Sequence, residues 1–408
     1  MKVVVVGSGG REHALADVLA RDADVVVTPG NPGIPGSVAT PADELDADLF
    51  VIGPEQPMVD GLSDRLRGQG KAVFGPGSDG ARLEGSKAWM KRVLADAGVA
   101  TARHATFEAD QVDEALAYVA DLPGLYVIKT DGLAAGKGVV VTESLTEAKD
   151  AVREYLSGTA FGAAGTTCVI EEGLTGPELS LFAACDGQRA VLFGSAQDHK
   201  RIGDGDTGPN TGGMGTYSPV PGLPDDLHDQ VMDAAIEPTL AQLQKLGIDY
   251  RGFLFCGLML TPDGPKVLEY NVRFGDPEAQ VVLPRLTSSL GEILAEGAAG
   301  DLRSTPAFSD DATVCVVLAS EGYPIAPRTG DVIAGVADAQ ALDGVRVFAA
   351  GVAAGADGAL VTAGGRVLNV VGQGPDLATA RQRAYDGAAR ISWPGLHLRH
   401  DIAARALA

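Results

Sequence analysis

The sequence predicts an α/β and α+β multidomain chain: a parallel N-terminal domain, a more antiparallel central domain and a small mixed α/β C-terminal domain. Three observations predict it. At 408 residues the chain exceeds one ordinary core, given roughly 100 to 200 residues per domain. The apolar runs VVVVG, VVVTPG, LFVIGPE and KAVFGPG each stop at Gly or Pro and alternate with helical patterns, the rhythm of βαβ units. Beyond about residue 100 the apolar runs are joined by loops and Asp-Gly turns, which suits antiparallel pairing.

Taken in order, the first element is the valine strand of MKVVVVGSGG, followed by a helix through REHALADVLA. The link from Thr28 to Asp48 is rich in Pro and Gly and leaves little room for a full crossover helix. SKAWMKRVLADAGV reads as a helix starting near Ser86 and stopped by Gly98. Then come the strands LYVIKT, GVVVTE, TCVIEE, ELSLFAACDG and RAVLFG. Between Gln197 and Pro219 the stretch QDHKRIGDGDTGPNTGGMGTYSP is too rich in Gly, Asp and Pro for a packed element, and its length suggests a functional loop. A helix through VMDAAIEPTLAQLQKLG leads to the strands GFLFCGLML and KVLEYNVRF, with TPDGP as a hairpin turn. From TVCVVLAS onward short strands and a helix from Leu377 to Arg390 form the third domain.

Composition narrows the function. A net charge of -22 repels polyanions, so nucleic acid is not an expected partner. Cys168, Cys185, Cys256 and Cys315 lie far apart without CxxC spacing, which argues against zinc or a disulfide framework and for a reducing, cytoplasmic setting. No apolar run approaches the ~20 residues that span a bilayer, so no membrane association is expected.

The opening turn resembles a dinucleotide fingerprint, yet G-x-G-x-x-G requires a third glycine where this chain has Glu12. The second strand also ends in Thr28 rather than in the acid that would bind a ribose. What remains is a helix start with exposed amides and Arg11, suited to a single phosphate, or simply a tight turn. The segment IKTDGLAAGKG is not a P-loop, but Lys129 on a strand end and Lys137 in a Gly-rich loop suit a polyphosphate; a surface hairpin with solvated lysines would look the same. In LEYNVRFGDPE, alternation puts Glu269, Asn271 and Arg273 on one strand face. A carboxylate and an amide oxygen there could share a hard cation beside a guanidinium, although ordinary polar alternation gives the same pattern.

Nine ordered segments together resemble the glycinamide ribonucleotide synthetase family of ATP-grasp ligases: GSGGREHA, VIGPEQPMVDG, FGP, EGSKAWMK, KTDGLAAGKGV, IEEGLTGPELS, QDHKRIGDGDTGPNTGGMGTYSP, EYNVRFGDPE and RTGDVI. The resemblance implies a Rossmann-like domain over about 1–102, an ATP-grasp domain over about 103–310 with a mobile lid near 121–190, and a C-terminal domain over about 311–408. It implies that ATP phosphorylates the carboxylate of glycine and that 5-phosphoribosylamine attacks the glycyl phosphate, with magnesium or manganese as cofactor and a monomer or dimer as the assembly. By the same resemblance Lys87 and Lys129 hold nucleotide phosphates under Gly136, Lys137 and Gly138. Glu171 and Leu174 form the adenine hinge through backbone groups, and Glu178 takes the ribose. Glu269 and Asn271 are the metal pair, with Arg273, Lys200 and Asp198 as catalytic or glycine contacts and Arg201 beside them. Gly9, Gly10 and Arg11 receive the sugar phosphate and Glu55 its hydroxyls. Many ATP-grasp enzymes carry another metal-binding acid on the preceding strand, and GFLFCGLML has none. A carboxylating or formate-using ATP-grasp ligase is disfavoured by the QDHKR to GGMG segment, and an NAD-dependent dehydrogenase by Glu12 and Thr28. A regulator that has lost catalysis would not be expected to keep Lys129, Lys137, Glu269, Asn271 and Arg273.

Overall fold

The structure, a computed structural model, describes residues 1–132, 138–158 and 166–407. Four parallel strands open the chain: β1 (Lys2–Gly7), β2 (Asp24–Pro29), β3 (Leu49–Ile52) and β4 (Val73–Phe74), in the spatial order β2-β1-β3-β4. Val3 and Val5 of β1 enter one core and Val4 and Val6 another, so the all-valine strand is buried on both faces, as parallel strands are. Helices α1 (Gly10–Leu19), α2 (Glu55–Val59), α3 (Leu62–Gly68), α4 (Ser78–Gly85) and α5 (Lys87–Ala97) complete this part. As expected from the sequence, the link after Thr28 holds only a short 3-10 turn at Ala42–Glu44. Helix α5 starts where Ser86 accepts a hydrogen bond from the Trp89 N–H at 3.1 Å, and it ends at Gly98, whose φ of 71° suits glycine.

A second, small sheet follows. Strands β5 (His104–Glu108), β6 (Tyr126–Thr130), β7 (Val139–Thr142) and β8 (Thr167–Glu172) pair in the order β5-β8-β6-β7, backed by α6 (Val112–Ala120) and α7 (Leu145–Leu156). This unit has a core of its own around Val119, Ile128, Val152 and Ile170. It covers about 104–172, whereas the lid was expected near 121–190. The residues after 177 start β9 (Glu178–Asp186), which pairs with strands of the larger sheet instead.

That larger sheet has eight strands in the order β15-β14-β9-β10-β13-β16-β20-β17. Its members are β9, β10 (Ala190–Asp198), β13 (Gly215–Ser218), β14 (Arg251–Thr261), β15 (Gly264–Asn271), β16 (Ala312–Ala319), β17 (Val345–Ala349) and β20 (Arg366–Gly374). The stretch from Gln197 to Pro219 is therefore no plain loop. It holds the hairpin β11 (Arg201–Gly203) and β12 (Thr207–Asn210), then β13, which bridges β10 to β16. Gly and Asp supply the hairpin turn, while the apolar-poor β13 is held by its neighbours on both sides, which local composition does not reveal. Through β13 the C-terminal strands continue the same sheet; β18 (Val352–Ala354) and β19 (Leu360–Thr362) form a separate pair at its edge. Among the described residues no helix is long and apolar enough to cross a membrane.

Candidate active site

A cavity of about 1280 Å³ opens between the small sheet, the edge of the large sheet and the carboxyl ends of the parallel strands. Parallel sheets present ligands at those ends. The cavity is lined at one end by Lys87, Lys129, Gly138, Glu171 and Leu174 and at the other by Arg11 and Glu55, with Glu269, Asn271 and Arg273 between them. Gly136 and Lys137 lie outside the described residues.

At the first end, β6 delivers Lys129 and β8 delivers Glu171, which face each other with Nζ and Oε1 2.7 Å apart. The other carboxylate oxygen of Glu171 pairs with Lys91 at 2.9 Å, and Lys91 also donates to the Thr101 hydroxyl at 2.7 Å. Glu171 and Lys91 are both about 1% exposed, so the pairing offsets a desolvation cost of several kcal/mol per ion. Burial works to raise the Glu171 carboxyl, but Lys129 and Lys91 outweigh it and hold it below its usual range. For Lys91 burial prevails over Glu171 and lowers the ammonium to about 8. Besides the expected backbone role, then, the Glu171 side chain orients Lys129. Lys91 escaped the sequence reading although Lys87 and Lys91 are four apart on one helix face.

Lys87 opens α5 and donates to the Gly132 carbonyl at 2.9 Å. Asp131 accepts from the Ser86 hydroxyl at 2.9 Å and from the Ala88 N–H at 3.1 Å, which ties the lysine-bearing turn to the start of the helix. Leu174 and Gly138 line the cavity, and Thr130 donates to the Gly138 carbonyl at 2.9 Å.

Alternation along β15 works as the sequence predicts. Glu269, Asn271 and Arg273 line the cavity, while Tyr270 and Val272 between them enter the core behind it; a bulge at Leu268 breaks the alternation before Glu269 and turns Val267 into that core as well. Burial would raise the Glu269 carboxyl, but Lys200, Lys129, Lys87 and Arg273 overcome it and keep the group ionised below its usual range. One ionised carboxylate with one amide oxygen suits magnesium, which retains waters and phosphate oxygens as its other ligands. Among the described residues no cluster of three or more His, Cys, Asp or Glu could hold a metal by itself. The position opposite Glu269 on β14 is Gly257, where an added Cβ would lie 3.4 Å from the Glu269 Cγ, so that strand brings no side chain to the metal pair at this level.

Arg273 follows the strand and reaches three oxygens: Glu84 at 2.7 Å, Asn271 at 3.2 Å and Glu55 at 3.3 Å. Burial would lower its pKa, but Glu84, Glu55 and further acids raise it. Burial pushes Glu84 up to about 7 against the opposing pull of Arg273. Lys200 pairs with Glu178 at 2.6 Å, so the group expected on the ribose currently holds a lysine. Burial and Glu278 push Asp198 well above the carboxylate range. Arg201 lies at the cavity rim with its guanidinium on the Gly208 carbonyl at 2.6 Å, serving the β11–β12 hairpin.

The opening turn differs from expectation. The Gly9 N–H donates to Glu12 Oε2 at 2.6 Å, and the Arg11 N–H donates to Asp276 at 3.2 Å. The Arg11 side chain binds Glu12 Oε1 at 2.6 Å and the Phe274 carbonyl at 3.1 Å. Glu12 has folded back into the turn: a Cβ on Gly7 would lie 2.5 Å, and on Gly53 2.1 Å, from its side chain. It fills the space that a pyrophosphate needs, which is a fuller reason for the missing dinucleotide than the lost glycine. Gly9 and Gly10 do not line the cavity; Arg11 does. Beside them stands Arg366 of β20, which donates at 2.6 Å to the carbonyls of Gly212 and Asp276. It lies in the unremarkable stretch GGRVLN, and nothing local in the sequence points to it.

A small sheet that sets Lys129 opposite a carboxylate and amide pair at the edge of a larger sheet, with Lys87 beside it, defines an ATP-grasp enzyme. Three family models cover most of the chain: phosphoribosylglycinamide synthetase N domain over residues 1–84, its ATP-grasp (A) domain over 85–279 and its C domain over 313–405. The chain belongs to the phosphoribosylglycinamide synthetase family and is a carbon–nitrogen ligase. It is 48% identical to a phosphoribosylamine–glycine ligase of Caulobacter vibrioides over 100% of this chain and 99% of that one. To the ligase of the same name from Brucella melitensis it is 45% identical over 100% and 98%. The crystal structure of phosphoribosylamine–glycine ligase from Thermotoga maritima superposes with a TM-score of 0.88 at 36% identity, covering 98% of this chain and 100% of that one. A biotin carboxylase domain from Hydrogenobacter thermophilus shares the fold at 16% identity and a TM-score of 0.73, covering 97% and 91%.

Proposed function

We propose that the protein joins glycine to 5-phosphoribosylamine at the expense of ATP, passing through glycyl phosphate and releasing glycinamide ribonucleotide, ADP and phosphate in purine biosynthesis. The observation that carries this reading is the continuity of one cavity from Lys87 and Lys129, past Glu269, Asn271 and Arg273, to Arg11 and Glu55. ATP lies against Leu174 and the backbone of β8, its phosphates on Lys87 and Lys129 beside Gly138; Gly136 and Lys137, which would join them, lie outside the described residues. Magnesium, or manganese in its place, would be held by Glu269 and Asn271 and would spread the phosphate charge as a Lewis acid. Lys200 and Arg273 hold the carboxylate of glycine in line with the γ-phosphate, and their charge opposes that of the transferring group. Asp198 is a further contact for glycine and the acyl phosphate, with Arg201 at the rim.

The amine of the acceptor approaches from the end where Glu55 meets the ribose hydroxyls and the free edge of the Arg11 guanidinium meets the phosphate. Gly9 and Gly10 act indirectly by holding the turn that presents Arg11. The acyl phosphate is already activated, so no histidine base is required; His13 is buried, accepting the Ala349 N–H at 2.8 Å. The separate core of the small sheet lets it close as a unit and exclude water from the intermediate. A monomer or dimer in the cytoplasm fits this reading. In a coupled assay, ADP release is expected to need glycine, phosphoribosylamine and a divalent cation together. Absence of ADP above background with all of them present would overturn the reading.

A further inference from the structure

The Arg273 guanidinium is held from the N-terminal domain by two carboxylates that differ in kind. Glu84, at the end of α4, is about 9% exposed in its side chain and takes two hydrogen bonds, from Arg273 Nη2 at 2.7 Å and from the Val272 N–H at 2.9 Å. It therefore grips both the side chain and the main chain of the segment that continues β15. Glu55 is about 30% exposed, faces the acceptor end of the cavity and pairs with Arg273 Nε at the longer distance of 3.3 Å, with Arg11 nearby. Charge-assisted bonds that are short and dry fix geometry, whereas a longer one open to the cavity exchanges readily.

From this asymmetry we infer that Glu84 is a positioning residue, the fixed anchor that aims Arg273 at the acyl phosphate, while Glu55 is the exchangeable partner that the acceptor takes over. The inference rests on the reading above. Glu84 lies three residues before Lys87, so one short stretch sets both a phosphate lysine and the arginine across the site from it. Because Asn271 accepts from the same Nη2 at 3.2 Å, a displaced Arg273 would also disturb the amide of the metal pair. A displacement of the guanidinium by about 1 Å is costly where catalysis depends on preorganised charge. Glu84 borders the same cavity, but its two carboxylate oxygens are taken by Arg273 and the Val272 N–H, so it acts through Arg273.

The test is a double-mutant cycle on the full chain with Glu84→Gln and Arg273→Ala, read as steady-state ADP release. Glu84→Gln keeps an acceptor for the Val272 N–H but loses the ion pair; kcat should fall about 10- to 100-fold with the KM for ATP within about twofold. The double variant should be no slower than Arg273→Ala alone, because both changes remove one unit. Multiplied losses, or an unchanged kcat in Glu84→Gln, would overturn the inference. If Glu84→Gln melts before assay, Glu84→Asp, which keeps the charge and withdraws it by one methylene, supplies the same cycle and the same two outcomes. Wild-type protein that releases no glycine-dependent ADP would instead overturn the proposed function, so the two failures are separable.

Discussion

The two ends of the cavity use opposite electrostatic designs. At the nucleotide end one buried acid, Glu171, pairs with two lysines, Lys129 and Lys91, and Lys87 rests on a main-chain carbonyl. At the acceptor end, three arginines are tied to four carboxylates, Arg11 to Glu12, Arg273 to Glu84 and Glu55, and Arg366 to Asp276, and Arg11 and Arg366 also to main-chain carbonyls. Lysine is a mobile point charge and arginine a planar fork, so the first end suits a shifting polyphosphate and the second fixes direction. Charge dominates at one end and geometry at the other.

The comparison breaks most visibly at Arg273. Arg273→Ala should lower kcat by about 10²- to 10³-fold, the usual effect of losing one preorganised donor, with a much smaller change in substrate KM. Steady-state kinetics with each substrate varied would check it, and a loss confined to KM would place Arg273 in ground-state binding instead. Next in size is Lys91→Met, which takes a buried cation from Glu171 and should destabilise the protein by about 3 kcal/mol in urea unfolding. A change below about 0.5 kcal/mol would show that Lys129 alone satisfies Glu171.

Smaller again is a pH effect outside both ends. Burial pulls the His13 imidazole down to about 4, so below its ordinary value near 6.5 the unfolded chain takes a proton that the folded chain refuses. Stability is therefore retained above pH 6.5 and falls as pH drops from 6.5 toward 4, by about 2 kcal/mol at pH 5 from this group. His13→Gln should flatten that part of the melting-temperature profile; an unchanged slope would assign the acid sensitivity elsewhere.

How much of this was legible in the sequence follows from the range of the interactions. The alternation of Glu269, Asn271 and Arg273 is a local property of a strand, and the structure keeps it. Glycine boundaries such as Gly98 are local too, and so is the lack of a third glycine at Glu12. The sense of that lack was not: Glu12 fills the turn, and only the packing against Gly7 and Gly53 shows it. Glu84 meets Arg273 across 189 positions and Lys91 meets Glu171 across 80, and a carboxylate or lysine on a helix looks solvent-facing until its partner is known. The strand β13 hid in a Gly-rich stretch because its order comes from β10 and β16 on either side.

Arg11→Ala gives the most direct test of a cavity with two separable ends. With both substrates varied, the KM for phosphoribosylamine should rise about tenfold, close to one lost charge-assisted hydrogen bond, and the KM for ATP should stay within about twofold. A rise in the KM for ATP with that for phosphoribosylamine unchanged would contradict the assignment of the two ends.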